Sequence, residues 1–325
     1  MVQVNRRKFL WAAGGLLAAP AVAQQSSRVY TVGVLFGGGA ESMGTYRAAL
    51  VEQLAGHGFV EHRNLRVEAL AGQFGSPFAT RVNELVDLKP DAFLTCTTSG
   101  TQTAQAVAGT IPIVFAWVAD PVASKFVQSY ARPGGNITGV TNRFGELLVK
   151  RLELARELVP EAKRVAVAGV DSGFYAVLAP PLRRAAGQLG VELIELPALD
   201  WEASVEHAKA AGSAVVITFA HFSAGGQQIV GKTAIKAGLQ QRIPVIFAGA
   251  EMVEAGGLIS YGTNLVNDIR RATDILARVL KGADPATIPV DQAARFELVV
   301  NLKTAKAIGL AIPPSVVLRA DRVIE

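Results

Sequence analysis

The segment RPGGNITGVTN, residues 132–142, interrupts an otherwise regular alternation along the chain. Its proline and glycines predict a turn, and residues 137–140 predict a short extended run after it. On both sides of this segment, β-branched runs alternate with amphipathic stretches, which is typical of βαβ units and a parallel sheet. We therefore interpret residues 132–142 as the boundary between two α/β halves of about 120 residues each, an ordinary domain size. The expected strands lie near 29–36, 65–71, 92–96 and 113–117 before it, and near 165–170, 191–196, 214–219, 245–248 and 258–261 after it.

The C-terminal part of the chain predicts further crossings between the two halves. A helical pattern near 269–280 is followed by residues 288–290, an extended run near 295–301 and a final helix. Such trailing elements fit a chain that returns to the first half and crosses again, so that the halves close as rigid bodies. The fold class is α/β, with two doubly wound parallel-sheet lobes joined by hinge crossings. We expect lobe 1 at 28–136 plus about 263–287, lobe 2 at 143–260 plus about 290–325, and the hinge near 137–142, 260–263 and 288–292.

The first 23 residues have the pattern of a cleaved export signal. Arg6, Arg7 and Lys8 precede a short apolar stretch, and Ala21-Val22-Ala23 forms a small-x-small cleavage site. The paired arginines favour the Tat route over the Sec route. An uncleaved anchor is disfavoured, because a membrane span needs about 20 apolar residues. We expect a periplasmic protein that is soluble after cleavage.

The composition excludes several classes of function. Without the three basic residues of the signal, the chain has 29 basic and 27 acidic residues, so its net charge is close to zero. No run of basic residues suggests a nucleic-acid partner. One cysteine excludes an internal disulfide. Histidines and cysteine are too few and scattered for a metal site, and the acids lack calcium-loop spacing. We expect no metal and no cofactor.

Five segments of the chain resemble one bacterial family. They are IPIVFAWVADPV (111–122), ARPGGNITGV (131–140), KRLELARELVP (150–160), VEAGGLISYG (253–262) and FELVVNLKTAKAIGLAIPPS (296–315). The family is the ABC transporter substrate-binding proteins related to tryptophan-binding lipoproteins. The resemblance implies a type I periplasmic binding protein fold, and a receptor that closes on a small solute and delivers it to ABC permease subunits. The signal lacks the cysteine of a lipoprotein, so we expect a free receptor, monomeric and soluble.

The segment TCTTSGTQTA, residues 95–104, groups six hydroxyls with the only cysteine. It follows a predicted strand and opens a helix near Thr101, where a parallel sheet binds its ligands. A helix N-terminus offers free N–H groups to an anion, so Thr97, Thr98, Ser99 and Thr101 are candidate contacts for a carboxylate. The alternative is that one hydroxyl only caps the helix.

Enzymatic use of this cluster is disfavoured. A nucleophilic Ser99 or Cys96 would need a positioned base, and only His221 among the four histidines is predicted near the cleft. The segment FGGGAES, residues 36–42, lacks the last glycine of a dinucleotide-binding loop. We expect its backbone N–H groups and the Ser42 hydroxyl to contact the solute. An exported cofactor-bearing oxidoreductase remains the alternative function.

Two carboxylates and several aromatic residues lie at predicted strand ends. Asp120, which either caps a turn or accepts an ammonium group, and Glu251 are candidates for a positively charged part of the solute. Trp117, Tyr175 and Phe222 are candidates for stacking on a flat solute. We expect a carboxylate-bearing solute, an aromatic amino acid or aromatic acid.

Overall fold

The computed structural model describes residues 28–37, 40–72, 76–170, 172–197, 201–218, 229–292 and 295–325. The first part of the chain forms β1 (Tyr30–Gly37), α1 (Ala40–Gly56), β2 (Leu65–Gly72), α2 (Ser76–Asp87), β3 (Ala92–Cys96), α3 (Thr97–Val107), β4 (Ile113–Val118) and β5 (Ile137–Thr141). The second part forms α4 (Phe144–Leu158), β6 (Arg164–Val170), α5 (Ser172–Leu189), β7 (Glu192–Pro197), α6 (Trp201–Ala210), β8 (Val215–Thr218), α7 (Ile229–Gln241), β9 (Val245–Phe247), α8 (Ala250–Glu254) and β10 (Ile259–Thr263). The last part forms α9 (Leu265–Leu280), a 3-10 turn (Pro285–Thr287), β11 (Asp291–Gln292), β12 (Phe296–Asn301), α10 (Leu302–Ile308), α11 (Pro314–Arg319) and β13 (Arg322–Ile324).

The strands assemble into two sheets. The first has the order β11-β5-β4-β3-β1-β2, and its pairs are parallel. The second has the order β13-β12-β10-β9-β8-β6-β7. It is parallel except where β12 runs antiparallel to β10. The predicted α/β class with two doubly wound sheets is confirmed, with one antiparallel pair that the alternation does not reveal.

Helices cover both faces of each sheet, which explains the continuous apolar strands. All residues of β3 and β4 are buried, as parallel strands between two helical layers must be. One face of the first sheet packs against α1 and α9, and the other against α2 and α3. The second sheet packs against α4 and α5 on one face and α6 and α7 on the other.

The chain passes between the sheets after β5, after β10 and after β11. The predicted crossing at 137–142 contains a strand of the first sheet, because Ile137–Thr141 pairs with β4. The helix expected near Thr101 begins at Thr97, directly after β3. Among the described residues, no helix is both long enough and apolar enough to span a membrane. The passages after β5 and β10 follow the carboxyl ends of strands in the first and second sheets. Ligands of doubly wound sheets bind beyond such strand ends.

Candidate functional site

The strand order defines where a crevice opens in each sheet. In the first sheet β1 lies between β2 and β3, and in the second β6 lies between β7 and β8. At such a switch point, successive connections leave in opposite directions, and ligands bind beyond the carboxyl ends of the strands. The segments after β1 and β3 therefore form the candidate site on the first sheet.

The first turn of α3 supplies hydrogen-bond donors at this position. Its N-cap, Cys96, makes no side-chain capping hydrogen bond. Thr97 Oγ1 accepts the N–H of Gly100 at 3.3 Å, and Thr98 Oγ1 accepts the N–H of Ala119 at 3.5 Å. Ser99 is exposed. Since the N–H groups and partial positive charge of a helix N-terminus favour anions, this turn can hold a carboxylate.

Two residues at the ends of neighbouring strands have left-handed backbone conformations. Thr97 has φ +76° and Trp117 has φ +62°, and β3 and β4 are paired. A β-branched or bulky side chain rarely adopts this region. Such strain costs about 1–3 kcal/mol and persists where the surroundings enforce it, often at ligand sites.

The strain at Trp117 coincides with an irregularity in β4. The register against β5 shifts between Ala116 and Val118, and a bulge of this kind redirects a side chain. The Trp117 side chain packs with the residues facing α1 and α9, as Ala116 does. Its indole Nε1 is buried without a hydrogen-bond partner.

Tyr46 completes an aromatic cluster that the sequence analysis missed. Its ring lies 4.9 Å from the Trp117 ring in an edge-on arrangement and 6.1 Å from the Phe36 ring. Burial, and then the charge of Glu251, raise the pKa of Tyr46 above its usual value. Glu251 belongs to α8, beside the second sheet, so this electrostatic influence acts from one sheet on the other. The available signal was an aromatic residue in the first turns of the helix that follows β1.

Three predicted contacts have partners within the protein instead. Thr101 is fully buried, and its hydroxyl bonds to Thr95 Oγ1 at 2.8 Å and donates to the Thr97 carbonyl at 2.9 Å. Asp120 Oδ1 accepts the N–H groups of the turn residues Val122 and Ala123 at 3.1 and 2.9 Å, which is the capping alternative.

Tyr175 is buried in the core of the second sheet. Burial, and then Glu195, raise its pKa. In this structure Thr101 and Tyr175 are buried and Asp120 caps a turn, and contact of these residues with a solute stays a prediction. For the remaining candidates, Ser42 belongs to α1 but its side chain lies outside the described part, as does all of Phe222.

The chemistry of the described site is that of binding. Cys96 is fully buried, and burial raises its pKa well above the usual value, so its thiol stays protonated. Within the described ranges, no group of three His, Cys, Asp or Glu residues is placed to hold a metal ion. The site offers donors, aromatic rings and one opposing carboxylate.

Comparison with known proteins identifies the family. The profile of the family described as "ABC transporter substrate binding protein" matches residues 32–324. The chain belongs to this family. Its members bind small-molecule solutes outside the cytoplasm and work with membrane permeases, so the protein is a solute-binding protein and not an enzyme.

Individual relatives support the same assignment. A tyrosine-binding protein of Clostridioides difficile (strain R20291) is 25% identical over 273 residues, which cover 83% of this chain and 78% of the relative. A conserved domain protein from Vibrio cholerae has TM-score 0.81 at 25% identity, covering 91% of this chain and 100% of its own. An ABC domain from Streptococcus pneumonia in complex with L-Trp has TM-score 0.78 at 22% identity, with the same coverage of both chains.

Proposed function

We propose that this protein is the extracytoplasmic receptor of an ABC importer, which closes two lobes on a carboxylate-bearing aromatic solute, an aromatic amino acid or aromatic acid. The lobes are the first sheet with its helices and the second sheet with its helices. We place lobe 1 at 28–136 plus about 263–287, to which the structure adds β5 and β11, and lobe 2 at 143–260 plus about 290–325 without β11. The observation that carries the proposal is the strained turn from β3 into α3, beside the Tyr46–Trp117 pair.

The carboxylate of the solute binds at the first turn of α3. Backbone N–H groups of this turn, with the Thr98 and Ser99 hydroxyls, donate to its oxygens. Hydrogen bonds to charged groups are worth about 1.5–3 kcal/mol each, roughly twice the value for neutral pairs. This turn therefore fixes the position of the solute.

The rest of the solute lies between the aromatic cluster and Glu251. Tyr46, which is partly exposed beside the buried Trp117, offers ring surface, and flat rings stack favourably on aromatic side chains. Glu251, from the second lobe, accepts the ammonium group of an amino acid when the lobes close. The tyrosine-binding relative and the structure with bound L-Trp support an aromatic amino acid.

We also propose that the protein is exported and monomeric. The signal pattern over residues 1–23 lies outside the described residues. Its paired arginines and small-x-small site support Tat export and cleavage. A permease in the membrane then receives the solute from a soluble, periplasmic receptor.

The direct test is binding to a panel of amino acids and aromatic acids, measured by thermal shift and then by calorimetry. A double variant, Thr98→Val with Ser99→Ala, should weaken binding of the best solute by about tenfold or more. Its stability should change by about 1 kcal/mol or less, the value of a helix cap.

The matched control for this double variant is Thr103→Val, one turn later on α3, where the hydroxyl donates to the Ser99 carbonyl. This control should bind normally. If the double variant keeps its full affinity, the first turn of α3 is not the carboxylate site.

A further inference from the structure

Arg151 is a charged residue in the core of the second sheet. It is fully buried, and its Nε donates to the Tyr261 carbonyl at 2.8 Å. Both terminal nitrogens, Nη1 and Nη2, are buried without a hydrogen-bond partner. Each carries two N–H donors, so most of the hydrogen-bonding capacity of the guanidinium is unused.

The guanidinium points toward the passages between the lobes. Helical side chains lean toward the N-terminus of their helix, and the guanidinium lies 5.1 Å from the ring of Phe144, the first residue of α4. A methyl group placed on Gly262 would lie 3.6 Å from Nη2. Gly262 is the penultimate residue of β10. The charged end of Arg151 therefore lies at the carboxyl edge of the second sheet, the edge where a doubly wound sheet binds ligands.

The charge of Arg151 has no counter-charge among the described residues. Burial alone lowers its pKa to about 9, which leaves it protonated at pH 7. Burying a cation without a partner is strongly unfavourable. The fold does not need the charge to satisfy the Tyr261 carbonyl, because a glutamine would offer a neutral donor of similar reach.

We propose that Arg151 is an anion-binding residue at the hinge end of the cleft, and that the solute carries a second acidic group that pairs with its guanidinium. This inference rests on the proposed function, in which the first carboxylate binds at α3. Of the two solute classes in the proposed function, it favours an aromatic acid with a second acidic group, such as an aromatic dicarboxylate held at one end by each lobe, over a monocarboxylic amino acid. Pairing with both lobes would favour the closed form.

The test compares two acids that differ by one carboxylate, benzoate and isophthalate, by calorimetry on the full-length protein. The wild type should bind isophthalate about tenfold or more tightly than benzoate, since a desolvated charge pair contributes strongly to binding. In Arg151→Gln this ratio should fall to about one. Arg164→Gln, on an exposed arginine paired with Glu192 at the start of β6, should keep the wild-type ratio.

Arg151→Met separates a binding role from a structural one. If the charge serves the solute, this variant should have a higher Tm than the wild type without solute, because an uncompensated charge is replaced by an apolar chain. A lower Tm, or failure of both Arg151 variants to fold, would overturn the proposal.

The other possible results of these experiments distinguish a failure of the Arg151 site from a failure of the α3 site. No preference for isophthalate in the wild type, no binding of it, or a ratio preserved in Arg151→Gln each overturn the role of Arg151. The α3 site is tested separately. If the Thr98→Val, Ser99→Ala variant binds benzoate normally while Arg151→Gln loses the preference, the carboxylate site of the proposed function fails and the Arg151 site stands.

Discussion

Thr97 and Trp117 hold backbone conformations that their side chains oppose, and they do so next to each other at the ends of β3 and β4. The strain at Thr97 turns the chain directly from strand to helix, which brings the first-turn donors of α3 to the sheet edge. The strain at Trp117 directs an indole toward Tyr46. The strain at both positions lowers the stability of the folded protein, and the same backbone geometry fixes the positions of the donors and the rings.

Replacing Thr97 with glycine should therefore stabilise the protein. Glycine adopts the left-handed region without steric cost, so Thr97→Gly should raise the free energy of unfolding by about 1 kcal/mol. Urea denaturation gives this value. Thr103→Gly, in the regular part of the same helix, should lower it by roughly 0.5–1 kcal/mol. A destabilised Thr97→Gly variant would show that the conformation is not strained.

Single residues of the site were only partly predictable from the sequence. The hydroxyl cluster, Trp117 and Glu251 are candidates because they follow apolar runs that predict strands, and their contact with a solute stays a prediction. Tyr46 was missed because its role depends on a contact with Trp117, 71 positions away in the chain. The internal hydrogen bonds of the Thr101 hydroxyl could not be predicted, because they depend on a helix that begins at Thr97, and local patterns do not fix that boundary.

The passage from β10 into α9 is a structural element with its own ionisation behaviour. Asn264 caps α9 through the N–H of Asn267, and Asp268 is buried one turn into the helix. Burial raises the pKa of Asp268 to about 6, and Asp291 adds to the rise, while Thr263 and Arg271 lower it. The folded state therefore favours the neutral carboxyl.

This shift predicts a pH dependence of stability. Because the folded pKa exceeds the ordinary value of 3.8, Asp268 contributes most favourably below about pH 4, and this contribution is lost as pH rises through about 6. Asp268→Asn should be more stable than the wild type at pH 7 by about 2–3 kcal/mol, with the difference shrinking toward pH 4. Urea denaturation from pH 4 to 8 measures it. A pH-independent difference for Asp268→Asn would contradict the shift.

Elements with a strong period were predictable, and those defined by long-range pairing were not. β3 and β4 read as apolar runs and were placed correctly. The segment around Ile137 was read as a crossing, yet it pairs with β4 inside the first sheet. The sequence predicts β12 as an extended run near 295–301 but not its antiparallel direction, because strand direction depends on the partner and not on local composition.

On the scale of the whole molecule, two sheets connected by three passages should close around a solute. Solute at about 100 times its Kd should stabilise the protein by about 2.7 kcal/mol, and closure should reduce the radius of gyration. Small-angle X-ray scattering with and without solute measures the contraction. At a solute concentration near the wild-type Kd, the Thr98→Val, Ser99→Ala variant, which binds at least about tenfold more weakly, should contract much less than the wild type. Equal radii for the wild type in both conditions would contradict closure.

The return of α9 to the first sheet determines when the protein can fold during synthesis. Leu265, Ile269 and Leu276 of α9 complete the core that β1 begins, and β11 forms the edge of the same sheet. The second sheet likewise needs β12 and β13 from the end of the chain. A ribosome must therefore release almost the entire polypeptide before either core closes. The two lobes, although separate in space, therefore both complete their folding late in synthesis. A truncation near the C-terminus removes strands from the second sheet.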